Sequence, residues 1–283
     1  MRKKLFTSKK DQENLKKDSR NYLSWVLSDR QICDLELLLN GGFEPLNGFM
    51  NRSDYESVLN DMRLENGALF PIPITLDVSN DFSKKLINKD KITLRDREGF
   101  PLALMTINDI WRPNFKKESE LVYGTKNEDH PAVSYLVNSS NKIYLGGKLE
   151  GISLPRHYDY QHYRHTPSNL KSEFIKRGWG KIIAFQTRNP LHRAHVEMTL
   201  EAMKKLNAKL FLHPVVGQTK VGDINHYTRV RCYEHILKRY PKNSIALGLT
   251  FVTGNNALVL NGSFIFYSRL LGHDPNLSLR NNF

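Results

Sequence analysis

Residues 181–216 read KIIAFQTRNPLHRAHVEMTLEAMKKLNAKLFLHPVV, and this stretch decides the fold of the second half of the chain. Residues 181–186 form a short apolar strand. Residues 191–206 place Leu191, Ala194, Met198, Ala202 and Leu206 near one helical face, and residues 209–216 read as a second strand. A second helix is expected over 227–240, stopped by Pro241, and a third strand over 244–252. Strand–helix–strand–helix–strand implies a parallel sheet with right-handed crossovers, hence a Rossmann-like α/β domain. Ligands of such sheets bind beyond the carboxyl ends of the strands. The residues just after Phe185 and just after Val216 are therefore the first place to look for a site.

The first half has another rhythm. Residues 1–20 are polar and Lys-rich and read as a basic, flexible lead-in. Ile32, Leu35, Leu38 and Leu39 fall at helical spacing after a Ser28/Asp29 cap, with Gly41-Gly42 closing that helix. From Pro71 to Leu149, β-type runs (72–78, 91–94, 102–107, 142–149) alternate with turn signals such as Asp96-Arg97-Glu98-Gly99 and Gly146-Gly147. That pattern is a small β-rich barrel or sandwich. The expected division is a lead-in over 1–20, a β-rich domain over 21–165, the first part of a Rossmann-like domain over 166–247, and a divergent tail over 248–283.

The chain has 283 residues and a net charge of +13, with globular proportions of charged and apolar residues, which rules out wholesale disorder. No apolar run reaches the ~18 residues of a membrane span. The amino terminus lacks a signal-peptide stretch. Cys33 and Cys232 lie far apart in no metal or redox spacing. Together these lead to a cytoplasmic expectation. A basic protein suggests a polyanion partner, with nucleic acid the default. The charge is not evenly spread, however: residues 164–242 hold sixteen basic and five acidic residues, net +11. A concentration of this kind inside a folded segment points to an anion-binding site, against the plainer reading of a solvated basic face.

After the first strand comes Gln186-Thr187-Arg188-Asn189-Pro190-Leu191-His192-Arg193-Ala194-His195. Pro190 suits a first helical position, which makes Asn189 the expected N-cap. His192 and His195 then share one face of the opening turn, beside unpaired backbone N–H groups and the positive end of the helix dipole. Arg188 adds a fork able to hold an oxyanion through two bonds. These groups suit phosphate or sulfate better than a metal. After the second strand, Gly217-Gln218-Thr219-Lys220-Val221-Gly222-Asp223 is a glycine-flanked loop without P-loop spacing. Its Lys220 is a candidate phosphate contact, with Arg229 and Arg231 reinforcing the field.

Residues 186–195 resemble the signature of the ATP sulfurylase (sulfate adenylyltransferase) family. So do Gln31 to Phe43 with Pro45-Leu46 and Gly48-Phe49-Met50, Leu94 to Gly99, His130-Pro131-Ala132-Val133, Tyr144 to Gly147, Gly217 to Asp223, and Arg229 to His235. The resemblance runs from about Leu23 to about Leu247. It implies a PUA-like first domain, a Rossmann-like nucleotidyltransferase domain, and transfer of an adenylyl group from ATP to sulfate. The products are adenosine 5′-phosphosulfate and pyrophosphate, and the reaction can also run in reverse. It further implies that Gln186 and Arg188 hold sulfate and that Gln186, Thr187, Arg188 and Asn189 line the ATP site. Thr187, Arg188 and Asn189 would be the catalytic core, with His192 and His195 stabilising the transition state. Mg2+ would arrive with ATP rather than in a protein cage. A homo-oligomer is left open, and neither nucleic acid nor a membrane is implied.

After Leu247 the resemblance fails. The family's Arg-rich segment and its Gly-Arg-Asp-His loop have no counterpart, and Gly272-His273-Asp274 is a poor substitute. The expectation is a truncated or rearranged carboxyl end with an incomplete site. The competing readings are a catalytically impaired fragment that only binds nucleotide or anion, a nucleic-acid-binding module driven by charge, and another adenylyltransferase.

Overall fold

The computed structural model describes residue 5 and residues 8–87, 90–216 and 224–251, the last two for their backbone. Contacts divide these residues into two compact units, one ending at Arg156 and the other starting at His157.

In the first unit, the expected flexible lead-in is largely a helix, α1 (Lys9–Asp18). Ser8 caps it by accepting from the Asp11 amide. The segment is tied down just beyond its end, where the Thr93 hydroxyl donates to the carbonyl of buried Ser19. Next come β1 (Leu23–Val26) and α2 (Asp29–Asn40). The capping box of Ser28 and Gln31 opens α2, and Gly41 closes it at φ 87°. Then follow β2 (Gly48–Phe49), α3 (Arg52–Asp61), β3 (Leu76–Val78), α4 (Asn80–Ser83), β4 (Lys91–Arg95), β5 (Pro101–Trp111), α5 (Phe115–Tyr123), α6 (Pro131–Ser134) and β6 (Ile143–Gly151). The sheet runs β1-β4-β5-β6-β2, and β3 also pairs with β6. The unit's buried residues, among them Phe70, Ile72, Ile74, Ile92 and Leu145, form one continuous core.

Gly146 and Gly147 are not in a turn; they lie inside β6. A Cβ on Gly147 would stand 2.1 Å from the Thr106 carbonyl oxygen, and one on Gly146 2.5 Å from that of Met50. These glycines mark places where backbone crosses backbone, the other use of glycine in a strand.

A buried polar network backs the core. Arg30 bonds to Asp34 at 2.6 Å and to Asp77, and Asp77 also receives Gln31 and the Asn141 amide. Burial pushes the Asp34 carboxyl up to about 6, against the pull of Arg30. Nearby, Glu118 accepts from the hydroxyls of Tyr55 at 2.8 Å and Tyr144 at 3.1 Å. Burial raises Glu118 to about 7, although those hydrogen bonds oppose the shift.

The second unit has the expected Rossmann-like order: α7 (Pro167–Lys176), β7 (Ile182–Thr187), α8 (Arg193–Leu206), β8 (Lys209–Val216), α9 (His226–Leu237), β9 (Ile245–Leu247) and β10 (Thr250–Phe251). The expected third strand is present as two pieces, β9 and β10, both parallel to β8, which also pairs with β7 in parallel. Side-chain alternation explains the layering. Ile182, Ala184 and Phe211 join Leu170 and Phe174 of α7. Ile183 and Leu210 pack with Val196 and Met203 of α8, and Leu212 and Val216 with Val230 and Tyr233 of α9. Helices therefore cover both faces, as a parallel sheet requires. The boundary falls nine residues before the expected one because the preceding segment belongs to this unit. Asp159 holds both Arg164 at 2.7 Å and His226 at 3.0 Å, while Tyr160 and Tyr163 pack against its core.

Candidate active site

The site candidates gather at the carboxyl end of β7. Gln186 and Thr187 are its last two residues, and Arg188 and Asn189 follow at once. The Thr187 hydroxyl closes a tight local turn: it accepts from the Asn189 amide at 3.1 Å and donates to the Asn189 carbonyl at 2.9 Å. Two side chains from one face of α9 reach the same turn. Arg229 donates through Nη1 to the Arg188 carbonyl at 2.6 Å and to the Val215 carbonyl of β8 at 3.1 Å. Tyr233, four residues on, donates its hydroxyl to the Asn189 carbonyl at 2.9 Å. Burial pushes that phenol up to about 12, so it stays a donor at ordinary pH.

Asn189 is not the N-cap. Its carbonyl is engaged by Thr187 and Tyr233, Pro190 has no N–H, and Leu191 runs into the core, so the helix opens only at Arg193. The capping position belongs to His192, in extended backbone, whose carbonyl accepts from the His195 amide at 3.0 Å. The two imidazoles nonetheless meet: their rings stack with centroids 3.9 Å apart. His192 is exposed and His195 half-buried, and the His195 Nδ1 is buried with no partner among the described residues. The first N–H groups of α8 and its positive dipole end adjoin the pair.

The structure therefore brings Gln186, Thr187, Arg188, Asn189, His192 and His195 to one sheet edge. Lys220, with the rest of 217–223, and Gly272-His273-Asp274 lie outside the described residues. His213 lies inside β8, as the sequence reading of 209–216 expects, level with Gln186 and stacked on Phe211 at 4.8 Å. Burial drives its imidazole down to about 3, so it is neutral and adds no cation. Sequence reading missed Tyr233 and the bridging geometry of Arg229. The available signal was their spacing of four on α9, which puts both on one face. Among the described residues no group of three or more His, Cys, Asp or Glu side chains could hold a metal ion. The site's cationic, N–H-rich donors suit an oxyanion instead. Neither cysteine is in a disulfide among the described residues; Cys33 is buried and Cys232 exposed. No helix among the described residues is long and apolar enough to cross a membrane.

Comparison with known proteins agrees with this organisation. Residues 2–154 match the family described as PUA-like domain, and residues 161–257 match ATP-sulfurylase, a match reaching ten residues past the point where the resemblance was read to fail. The sulfate adenylyltransferase of Saccharomyces cerevisiae is 50% identical over 231 residues, covering 82% of this chain and 45% of its own length. That of Yarrowia lipolytica is 51% identical over 238 residues, covering 83% and 41%. A solved structure described as a hexameric APS kinase from Thiobacillus denitrificans superposes with a TM-score of 0.78 at 29% identity, over 96% of this chain and 50% of that one. The chain thus spans less than half the length of these curated relatives. With a PUA-like first unit and the ATP-sulfurylase segment carrying the β7 exit in its second, the chain belongs to the ATP sulfurylase family.

Proposed function

We propose that the second unit provides the first part of a sulfate adenylyltransferase site, taking ATP and sulfate to adenosine 5′-phosphosulfate and pyrophosphate, or the reverse, in sulfate assimilation. The observation that carries this reading is the β7 exit, where Arg188 and the stacked His192–His195 pair adjoin the opening of α8. A sulfate oxygen forms the bond to the α-phosphorus as the α-phosphorus–oxygen bond to pyrophosphate breaks, its electron pair leaving with pyrophosphate. Neither covalent nucleophile nor general base is required, so the rate comes from positioning and charge stabilisation.

In this reading Gln186 and Arg188 hold sulfate, and Gln186, Thr187, Arg188 and Asn189 line the nucleotide. His192 and His195 stabilise charge growing on the phosphates, and Lys220 adds a phosphate contact. Mg2+ enters with ATP, held by phosphate oxygens and water. The occupant is a small polyanion in the cytoplasm rather than nucleic acid, and a homo-oligomer is compatible with this. A second reading keeps the same oxyanion donors at the β7 exit but binds nucleotide or anion without turnover.

Sulfate-dependent exchange of radiolabelled pyrophosphate into ATP, run beside equilibrium ATP binding, separates the two. Exchange abolished by H192A and H195A supports the enzyme. Binding without exchange selects the second reading. Loss of both rejects the site.

A further inference from the structure

Arg229 is 3% exposed, and its Nε is buried with no hydrogen-bond partner among the described residues. Among the described residues no carboxylate is paired with it; its guanidinium bonds to the Arg188 and Val215 carbonyls and lies against the Tyr233 hydroxyl. Those carbonyls sit at the ends of adjacent parallel strands, β7 and β8, so a single guanidinium ties two strand exits together. The consequence is directional. The peptide between Arg188 and Asn189 is held at both ends, its carbonyl by Arg229 and its N–H by the Thr187 hydroxyl. The next carbonyl, that of Asn189, is held by Tyr233. With both carbonyls engaged by α9, neither is left to turn its negative end toward an oxyanion. A buried cation without a carboxylate is otherwise unfavourable, and an anion bound nearby offsets that cost.

We propose that Arg229 is a positioning residue of this site: it locks the Arg188–Asn189 turn with its carbonyls away from the ligand, and its charge, which no described carboxylate pairs with, favours a polyanion. The second half of this statement rests on the anion-site reading above; the locking of the turn does not.

The test uses the full chain with R229K, which keeps the charge but replaces the planar fork, and R229M, which removes both. ATP with Mg2+ and inorganic tripolyphosphate serve as probes, and backbone amide NMR reports on the turn. The expected dissociation constants rise about tenfold in R229K and about a hundredfold in R229M, the span that charge-assisted hydrogen bonds supply. The Asn189 amide should shift in both variants while amides of the first unit stay in place. If R229M does not fold, R229K carries the test. Variants that melt earlier but, while folded, bind both anions as the wild type does, with the Asn189 amide unmoved, overturn the proposal. A wild type that binds neither probe sinks the anion-site reading instead, and the Asn189 amide alone then decides the locking role.

Discussion

Replacing Glu118 by Gln should flatten the pH dependence of the first unit's stability. The carboxyl goes from an ordinary 4.5 to about 7 because it is buried, with the Tyr55 and Tyr144 hydroxyls and Arg30 opposing the shift and Asp77 adding to it. The folded state thus holds this proton more tightly than the unfolded chain. The associated stability is fully present below about 4.5 and is lost as pH rises through about 7. At about 1.4 kcal/mol per tenfold change in proton activity, the displacement amounts to about 3 kcal/mol. Glutamine keeps a neutral group of the same shape between the two phenols and removes the titration. Asp34, raised to about 6, titrates in the same range, so the difference between wild type and E118Q isolates Glu118. Hydrogen exchange read on peptides from α5 and β6 reports on this unit alone. After correction for intrinsic exchange, wild-type protection should fall between pH 5 and pH 8 by about 2.5 kcal/mol more than that of E118Q. Equal slopes in the two proteins would refute the assignment of the shift to this carboxyl.

Three further outcomes follow from the geometry. Y233F removes the hydroxyl bond to the Asn189 carbonyl, so ATP affinity should fall several-fold at a stability cost of about 1 kcal/mol; titration calorimetry showing unchanged affinity counts against a role for that bond. G147A places a methyl group 2.1 Å from the Thr106 oxygen and forces β5 and β6 apart. It should cost about 4 kcal/mol or more, and a urea midpoint close to wild type, followed by tryptophan fluorescence, would contradict the crossing. For the β7 exit, ATP binding should weaken between low and high salt, because the partly exposed Arg188 guanidinium there is screened over about 10 Å at 0.1 M salt. A salt-independent dissociation constant would mean the triphosphate is held elsewhere.

Much of the second unit was legible because its signals are local. Short continuous apolar runs at 182–185 and 210–212, the Leu191–Leu206 periodicity and Pro241 give strands and helices wherever they occur. The capping box of Ser28 and Gln31 with Gly41 marked α2 equally well. Where reading failed, a distant contact had overridden a local preference. Residues 9–18 lack an apolar face and so read as a tail, yet they form a capped helix just ahead of a Ser19 bonded to Thr93. Gly146-Gly147 carries a turn's composition but sits mid-strand, where Thr106 and Met50 leave no room for a Cβ. Pro190 implied a helix start, but Tyr233 holds the Asn189 carbonyl and moves that start to Arg193.

The same division applies to the candidate site. Sequence alone determined that Arg188, His192 and His195 follow a parallel strand, and hence that they meet at its carboxyl edge, because strand direction and residue spacing are properties of the local chain. Tertiary structure decided which carbonyls turn away from that edge, that His213 is a neutral core residue, and that Arg229 is buried with no carboxylate paired to it among the described residues. These depend on atoms 14 to 44 residues apart, and no local pattern encodes which of them will touch.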